Sequence, residues 1–332
     1  MAGTRVSPPA RGRMLQTAGA TVVVLGLLLW WLVPSGSAGP RGAVSFATGV
    51  PTGVYARYGT LLKERLPREL PDVRLRLRSS EGSVQNIERV ASGEADFTVA
   101  AADAVAQYRA EHGKDARALR ACARLYDDYI QLVVPAGSKV RSARDLKGLK
   151  VGVGQGRSGV SLIAGRLLRA AGLDVQRDVT PVRAGIDRMP GLLEKGELDA
   201  FFWSGGLPTT AVQRLASRSG IRLVQLGDLL PALHRQQPET RYYRAAVMPP
   251  DAYPSVQKGQ SVKTLAVANL LVTHRRTSAS MSEGMTRAVI NNRDQIGRVV
   301  HAAQKVDLRT AIYTDPLPLH EGASRYYRSV KP

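Results

Sequence analysis

Apolar positions from residue 41 onward fall in short blocks separated by amphipathic stretches. Between residues 73 and 78 apolar residues alternate with arginines, a period of two that buries one face of a strand and wets the other. Strand-like blocks also occupy 44–47, 97–100 and 131–134, and helical spacing runs through 54–66, 83–91 and the stretch opened by Asp103. The alternation restarts at 150, with strands at 150–153, 179–182, 201–203 and 221–225 and helices at 160–171, ending at 192–194, and at 209–217. Strands alternating with helices build parallel βαβ units with both sheet faces covered. Residues 262–303 hold few glycines or prolines and read as helical. The two sets predict an α/β protein of two lobes, each a mainly parallel sheet flanked by helices. Turn residues at Pro135-Ala136-Gly137-Ser138 and around 241–254 place lobe 1 at 41–134 and 246–332 and lobe 2 at 135–245. Two crossings between lobes make a hinge around a cleft.

The first forty residues follow a different rule. Arg5, Arg11 and Arg13 precede an apolar run at 17–33, which closes with Trp30-Trp31 and then Pro34, Ser35, Gly36, Ser37 and Ala38. A positive flank, an apolar helix and a small-residue exit are the parts of an export signal. The run reaches the lower edge of what spans a bilayer, so cleavage after Ala38 and retention as a membrane anchor are both open. Either way residues 41–332 are expected outside the cytoplasm.

Charge sharpens this picture. The chain carries +20 at pH 7; three arginines and no acid lie in the first forty residues, which leaves +17 on the remainder. Such a field draws anions, whether small molecules or a membrane face. The basic residues are scattered, and an exported chain has no nucleic acid to meet, so none is expected as a partner. The single cysteine, Cys122, permits neither an internal disulfide nor a zinc site, and no metal or cofactor is expected.

Three turns carry the candidate chemistry: residues 47–55 with Thr48, Gly49, Thr52 and Tyr55; residues 79–86 with Ser79, Ser80, Ser83 and Asn86; and residues 154–159 with Arg157, Ser158 and Gly159. Each links a strand end to a helix start, where unpaired N–H groups and the helix dipole favour a negative group. Converging, they would hold a carboxylate at the carboxyl ends of the strands. The Ser83 and Ser158 hydroxyls are expected to serve the ligand and not the fold. Asp103 offers an acceptor for a ligand ammonium, Trp203 an aromatic wall and Arg157 a fork for a carboxylate. His320 is expected to be packed.

The same residues resemble the TAXI family of solute receptors, which serve TRAP-type transporters. The matching segments are Ala47-Thr48-Gly49 with Gly53-Val54-Tyr55, then 79–83 with Asn86, then Ser92-Gly93-Glu94-Ala95-Asp96 leading to Asp103. They continue with Asp145-Leu146-Lys147-Gly148, Val151-Gly152-Val153-Gly154 with Ser158-Gly159, and Leu319-His320-Glu321-Gly322-Ala323 with Tyr326-Tyr327. The resemblance implies a two-lobed, type II-like periplasmic-binding-protein fold preceded by the N-terminal hydrophobic helix. It also implies capture, without catalysis, of a small anionic or zwitterionic solute (glutamate-like ligands being typical) for a membrane permease. Two positions depart from the family pattern: Ala101 stands where glutamine is usual, and Val160 where threonine is usual.

Two rivals remain. The same fold would serve equally as the ligand sensor of a membrane signalling protein. Gly154-x-Gly156-x-x-Gly159 formally fits a dinucleotide loop, with Asp174 and Asp178 near the expected acidic distance, which would make the chain an NAD-dependent oxidoreductase. No Gly-x-Ser-x-Gly elbow is present to suggest a hydrolase.

Overall fold

The computed structural model describes residues 39–330 together with Gly3. The apolar run at 17–33, expected as a signal or anchor helix, therefore lies outside the described residues. No helix among the described residues is long and apolar enough to cross a membrane. Residues Pro40–Pro332 form one compact unit, built on a ten-stranded sheet.

Its strands are β1 (Gly42–Ala47), β2 (Val73–Arg78), β3 (Phe97–Ala101), β4 (Leu119–Pro135), β5 (Lys150–Gly152), β6 (Thr180–Val182), β7 (Ala200–Gly205), β8 (Ile221–Val224), β9 (Tyr243–Met248) and β10 (Val262–His274). They run in the order β2-β1-β3-β10-β4-β7-β5-β6, with β9 on β10 and β8 on β4. The two arms are parallel: β1 pairs β2 and β3, and β5 pairs β6 and β7. The centre is antiparallel, because β10 pairs β3, β4 and β9 while β4 pairs β7 and β8. The expectation of mainly parallel sheets thus fits the arms and not the centre.

Both central strands are longer than the sequence suggested. β10 fills the start of the stretch read as helical, so that reading is corrected for Val262–His274. Almost every residue of β10 is at least partly buried, hence no alternation shows, and without glycine or proline such a run imitates a buried helix. The helix, α5 (Ala279–Asn291), begins only at Ala279, where the Ser278 hydroxyl accepts from the Met281 N–H at 3.3 Å. Only 131–134 of β4 was expected, since Asp127-Asp128 interrupts the apolar pattern; the strand spans Leu119–Pro135. Tyr129 faces Ala266 of β10 on one side and Gly205 of β7 on the other, so β4 changes partner there. The lobe boundaries expected at 134/135 and 245/246 fall at the end of β4 and inside β9.

Four helices open at the carboxyl ends of parallel strands: α1 (Val54–Arg65) after β1, α2 (Ser83–Ser92) after β2, α3 (Ala102–His112) after β3 and α4 (Gly159–Ala170) after β5. One apolar core, with Phe46, Tyr58, Leu62, Phe97, Tyr126 and Met285, backs the β1–β3 arm. A second, with Leu132, Val151, Leu167, Phe201 and Leu215, fills around the β5–β7 arm and extends along β10. Each side chain so buried contributes roughly 1.5–3 kcal/mol.

The tail is fastened to this frame. The Ala121 N–H donates to Pro318 O at 3.0 Å and the His320 N–H to Ala121 O at 2.8 Å. His320 is buried, and its Nδ1 accepts from the Gly322 N–H at 3.1 Å, capping α6 (Glu321–Ser329). A Cβ on Gly322 would lie 1.9 Å from the Ala279 carbonyl oxygen, so only hydrogen fits between the two helices. Gly322→Ala should therefore destabilise the protein by roughly 1–3 kcal/mol through overpacking. Urea unfolding measures this, and an unchanged midpoint would show that α6 can shift freely.

Candidate functional site

The starts of α1, α2 and α4 bring three chain turns to one cavity of about 60 Å³. Gly49, Val50 and Gly53 line it from the first turn, Glu81, Gly82 and Ser83 from the second, and Gly154, Gln155, Ser158 and Gly159 from the third. Each helix presents first-turn N–H groups that no helix satisfies internally, and three positive dipole ends meet at one place.

Two of these termini touch. Gly82 has φ of +136°, where any side chain is strained, and a Cβ there would meet Ser158 Cα and Cβ at 3.3 Å. From the other side, a Cβ on Gly159 would lie 3.2 Å from Ser83 Oγ. Backbone bonds close the rim: the Arg157 N–H donates to Glu81 Oε2 at 3.0 Å and the Gln85 N–H to Arg157 O at 3.1 Å. The Arg157 guanidinium points along the surface and pairs with Glu88, so it is a rim residue and not the carboxylate fork expected of it.

Seven of the residues singled out in the sequence line the cavity: Gly49, Tyr55, Ser83, Asp103, Ser158, Gly159 and Trp203. The others do not. Thr48 is buried and its hydroxyl donates to Arg78 O at 3.1 Å, holding β1 to β2. Asn86 donates from Nδ2 to Thr48 O at 2.5 Å and Val99 O at 3.1 Å, tying the first turn to β3. Ser80 supports that knot, 2.7 Å from Asn86 Oδ1. Thr52 and Ser79 are exposed. These side chains build the loops that form the cavity; Ser and Asn do this because their short polar groups substitute for backbone partners.

Even the serines on the wall are employed by the fold. Ser83 Oγ accepts from the Ala101 N–H at 3.1 Å and lies 3.0 Å from the Tyr55 hydroxyl. Ser158 Oγ accepts from the Ser161 N–H at 3.1 Å and donates to Gln155 O at 2.6 Å. The expectation that they serve a ligand alone is corrected: removing Ser83 strips the buried Ala101 N–H of its partner, and removing Ser158 uncaps α4. Ala101 and Val160, the two departures, both line the wall, and Trp203 holds its place by donating from Nε1 to Thr209 Oγ1 at 3.1 Å.

The largest surprise is acidic. Asp103 and Asp128 are only 1% and 3% exposed, and both line the cavity. Asp103 is compensated: its Oδ2 lies 3.3 Å from Arg166 Nη1 and accepts from the Tyr243 hydroxyl, while Arg166 Nη2 donates to Gln107 Oε1 at 2.6 Å. Burial pushes the Asp103 carboxyl up, and the Arg166 charge and Tyr243 bond hold it down. Asp128 has no ion pair among the described residues. Strand alternation turns its neighbour Asp127 away, toward Arg124 at 2.7 Å and toward Arg244. Asp128 Oδ1, Asp103 Oδ1 and Asn269 Nδ2 have no hydrogen-bond partner. Tyr55 donates to Asn269 Oδ1 at 2.5 Å; burial and the Asp128 charge raise its hydroxyl well above 10, so it stays a neutral donor. Sequence reading missed Asp128, Asn269, Tyr243 and Arg166. Two adjacent acids inside a long strand, and a lone asparagine in an apolar one, were the available signals.

Burial pushes the Asp128 carboxyl up to about 7, opposed by the Asn269 side chain and reinforced by the charges of Asp127 and Asp103. An unfolded aspartate titrates near 4. Folding therefore favours the protonated form, and the stability so gained is full below about pH 4 and lost as pH rises to about 7. Asp128→Asn removes this dependence. Its stability relative to wild type should climb between pH 4 and 7 by on the order of 2–4 kcal/mol and then level off. Denaturant titrations at several pH values check this; a constant difference would mean the carboxyl titrates as if in water.

Among solved structures the chain is similar to a protein from Bordetella bronchiseptica RB50, at 18% identity over 88% of this chain and 90% of that one, with a TM-score of 0.51. An ancestral arginine-binding protein bound to arginine matches at 14% identity, covering 78% and 98%, TM-score 0.51. The periplasmic aliphatic sulphonate binding protein SsuA from Escherichia coli matches at 16%, covering 88% and 84%, TM-score 0.48. The first two show the shared α/β periplasmic-binding-protein fold. At the level of sequence, residues 46–330 match the NMT1-like family model, and the chain belongs to the NMT1-like family.

Proposed function

We propose that this chain is an extracytoplasmic solute receptor, not an enzyme, that captures a small carboxylate or amino acid and presents it to a membrane permease. The observation that carries this reading is the convergence of three helix N-termini, from turns far apart in sequence, on one cavity that also holds two buried acids. Donors for a carboxylate and acceptors for an amine thus line the same space. The Ser83 and Ser158 hydroxyls are fixed by backbone groups, which suits holding a solute better than attacking one.

The two arms of the sheet act as lobes, taken as 41–134 with 246–332 and 135–245, and β4 and β10 carry the chain between them. The rim contacts of Glu81, Gln85 and Glu88 with Arg157 open to admit the solute, and closure follows because only the closed state offers both sets of donors. The motifs shared with the TAXI receptors make a TRAP-type permease the partner, with the segment 1–40 as signal or membrane anchor. A dinucleotide fits poorly. Gly154 has φ of +79° and a Cβ there would meet Val160 Cβ at 2.7 Å, so packing explains the glycine fingerprint. The cavity of about 60 Å³ is also far below the roughly 300 Å³ or more that larger ligands occupy.

Trp203 on the cavity wall provides a reporter. Addition of amino acids and small carboxylates to the full-length protein should identify a solute that changes tryptophan emission and raises the unfolding temperature. At a hundred times its dissociation constant the solute adds about 2.7 kcal/mol to stability. If no such compound at millimolar concentration moves either signal, the receptor reading is wrong.

A further inference from the structure

The wall of the cavity is unevenly charged. Asp103 and Asp128 contribute two carboxyl groups, and Arg166 behind Asp103 contributes the one guanidinium in ion-pair contact with either, among the described residues. Glu81 also lines the cavity, on the rim side, so with the carboxylates ionised these three acids and Arg166 leave two negative charges, one at the rim and one deep in the wall. The deep charge belongs to Asp128, whose Oδ1 is buried and unpartnered beside the equally unpartnered Oδ1 of Asp103. The groups around Asp128 are Asp103 from α3, Tyr55 from α1, Asn269 from β10 and Tyr126 along β4, with Asp127 acting through its charge from the opposite face of the strand. None of these is a cation. A carboxylate taken out of water without a counter-charge is strongly disfavoured, and a positive group brought by a ligand relieves it.

We propose that Asp128, assisted by the free oxygen of Asp103, receives the ammonium group of the ligand, so that the site takes free amino acids and rejects the matching 2-oxo acids and dicarboxylates. This inference rests on the receptor reading and sharpens it to one ligand chemistry. The ligand carboxylate lies toward the starts of α2 and α4, and its ammonium lies toward β4 and β10, about one small molecule away. A 2-oxo acid offers the same carboxylate but leaves both acids without a donor. A dicarboxylate adds a second negative charge opposite a wall that is already negative.

The experiment compares matched pairs on the full-length protein at pH 8: alanine with pyruvate, leucine with 4-methyl-2-oxovalerate, and glutamate with 2-oxoglutarate. Binding is followed by tryptophan emission and calorimetry. In at least one pair the amino acid should bind about 10–150-fold more tightly, the range of a hydrogen bond to a charged group. Asp128→Asn should reduce that preference to a few-fold while the unliganded variant unfolds no earlier than wild type. As a check that needs no variant, amino-acid affinity of the wild type should strengthen as pH rises through about 7, where Asp128 ionises. A 2-oxo acid that binds as well as its amino acid, a preference that survives Asp128→Asn, or an affinity unmoved by pH overturns this inference and leaves the receptor reading standing. If no member of any pair binds, the receptor reading itself falls, and this inference with it.

Discussion

Antiparallel pairing of β4 with β10 is the constraint on which the rest of this protein depends. The two strands are the longest in the sheet, and between them they reach both parallel arms. Their register sets Asp128 opposite Val267, and both line the cavity. Just beyond, the register shifts between Ala268 and Leu270, which leaves Asn269 out of the β4 ladder while it still pairs with Ala101 of β3. Such irregularities re-aim side chains, and this one puts an unpartnered amide nitrogen beside an unpartnered acid. A slip of one residue would exchange Asp127 for Asp128. The arginines that now neutralise Asp127 outside would then face the wrong carboxylate, and the cavity would change chemistry altogether.

Much of the outer frame was legible because it obeys simple rules. β2 alternates apolar residues with arginine at Arg74, Arg76 and Arg78, so its ends could be placed to the residue. The starts of α1, α2 and α4 follow turns rich in glycine and serine. The centre was not legible, for two different reasons. β10 is buried on both faces and so shows no period. β4 carries Asp127 and Asp128 where strand propensity disfavours acids, and a reader of local pattern breaks the strand there. Sites of function are where local rules are expected to fail, and the failure at Asp128 fell on the most unusual residue of the cavity. Within the turns the error was subtler. The residue types pointed to the right loops, but Thr48, Ser80 and Asn86 are spent on folding them. Distinguishing a hydroxyl that binds from one that braces requires partners 30 or more residues away, as between Thr48 and Arg78.

The charge of the chain and that of its cavity have opposite signs. Residues 41–332 carry +17, yet the carboxylates at the cavity wall, Glu81, Asp103 and Asp128, outnumber the one arginine paired there. The surplus arginines sit mostly outside, paired with acids as in Arg144–Asp228 and Arg218–Glu194 or solvated. Exposed pairs of this kind add little to stability. A field of this sign acts at long range, on an anionic membrane face or an acidic partner surface, and decays over a Debye length of about 8–10 Å in salt. Net charge therefore describes the surface, and the buried acids of the cavity wall oppose it in sign.

Asp103 and Asp128 share one cavity, and a built-in cation serves only the first. Arg166 is 2% exposed and pairs with Asp103 while bonding to Tyr243 and Gln107, so the Oδ2 side of this carboxylate is bound into a network and its Oδ1 is left without a hydrogen-bond partner. Its charge is a fixed part of the fold. Asp128 has an unpartnered Oδ1 and no ion pair among the described residues; the neighbouring Asn269 side chain, whose Oδ1 accepts from Tyr55, is what opposes the rise of its carboxyl. A second arginine at this depth would have given Asp128 the counter-charge that Asp103 has. Leaving it out stores an unsatisfied charge at the point where the two arms meet, and stored instability of this kind is relieved by whatever cation the cavity admits. On the reading proposed above, a cation supplied at β4 and the rim bonds between Glu81, Gln85 and Arg157 would favour the same closed state.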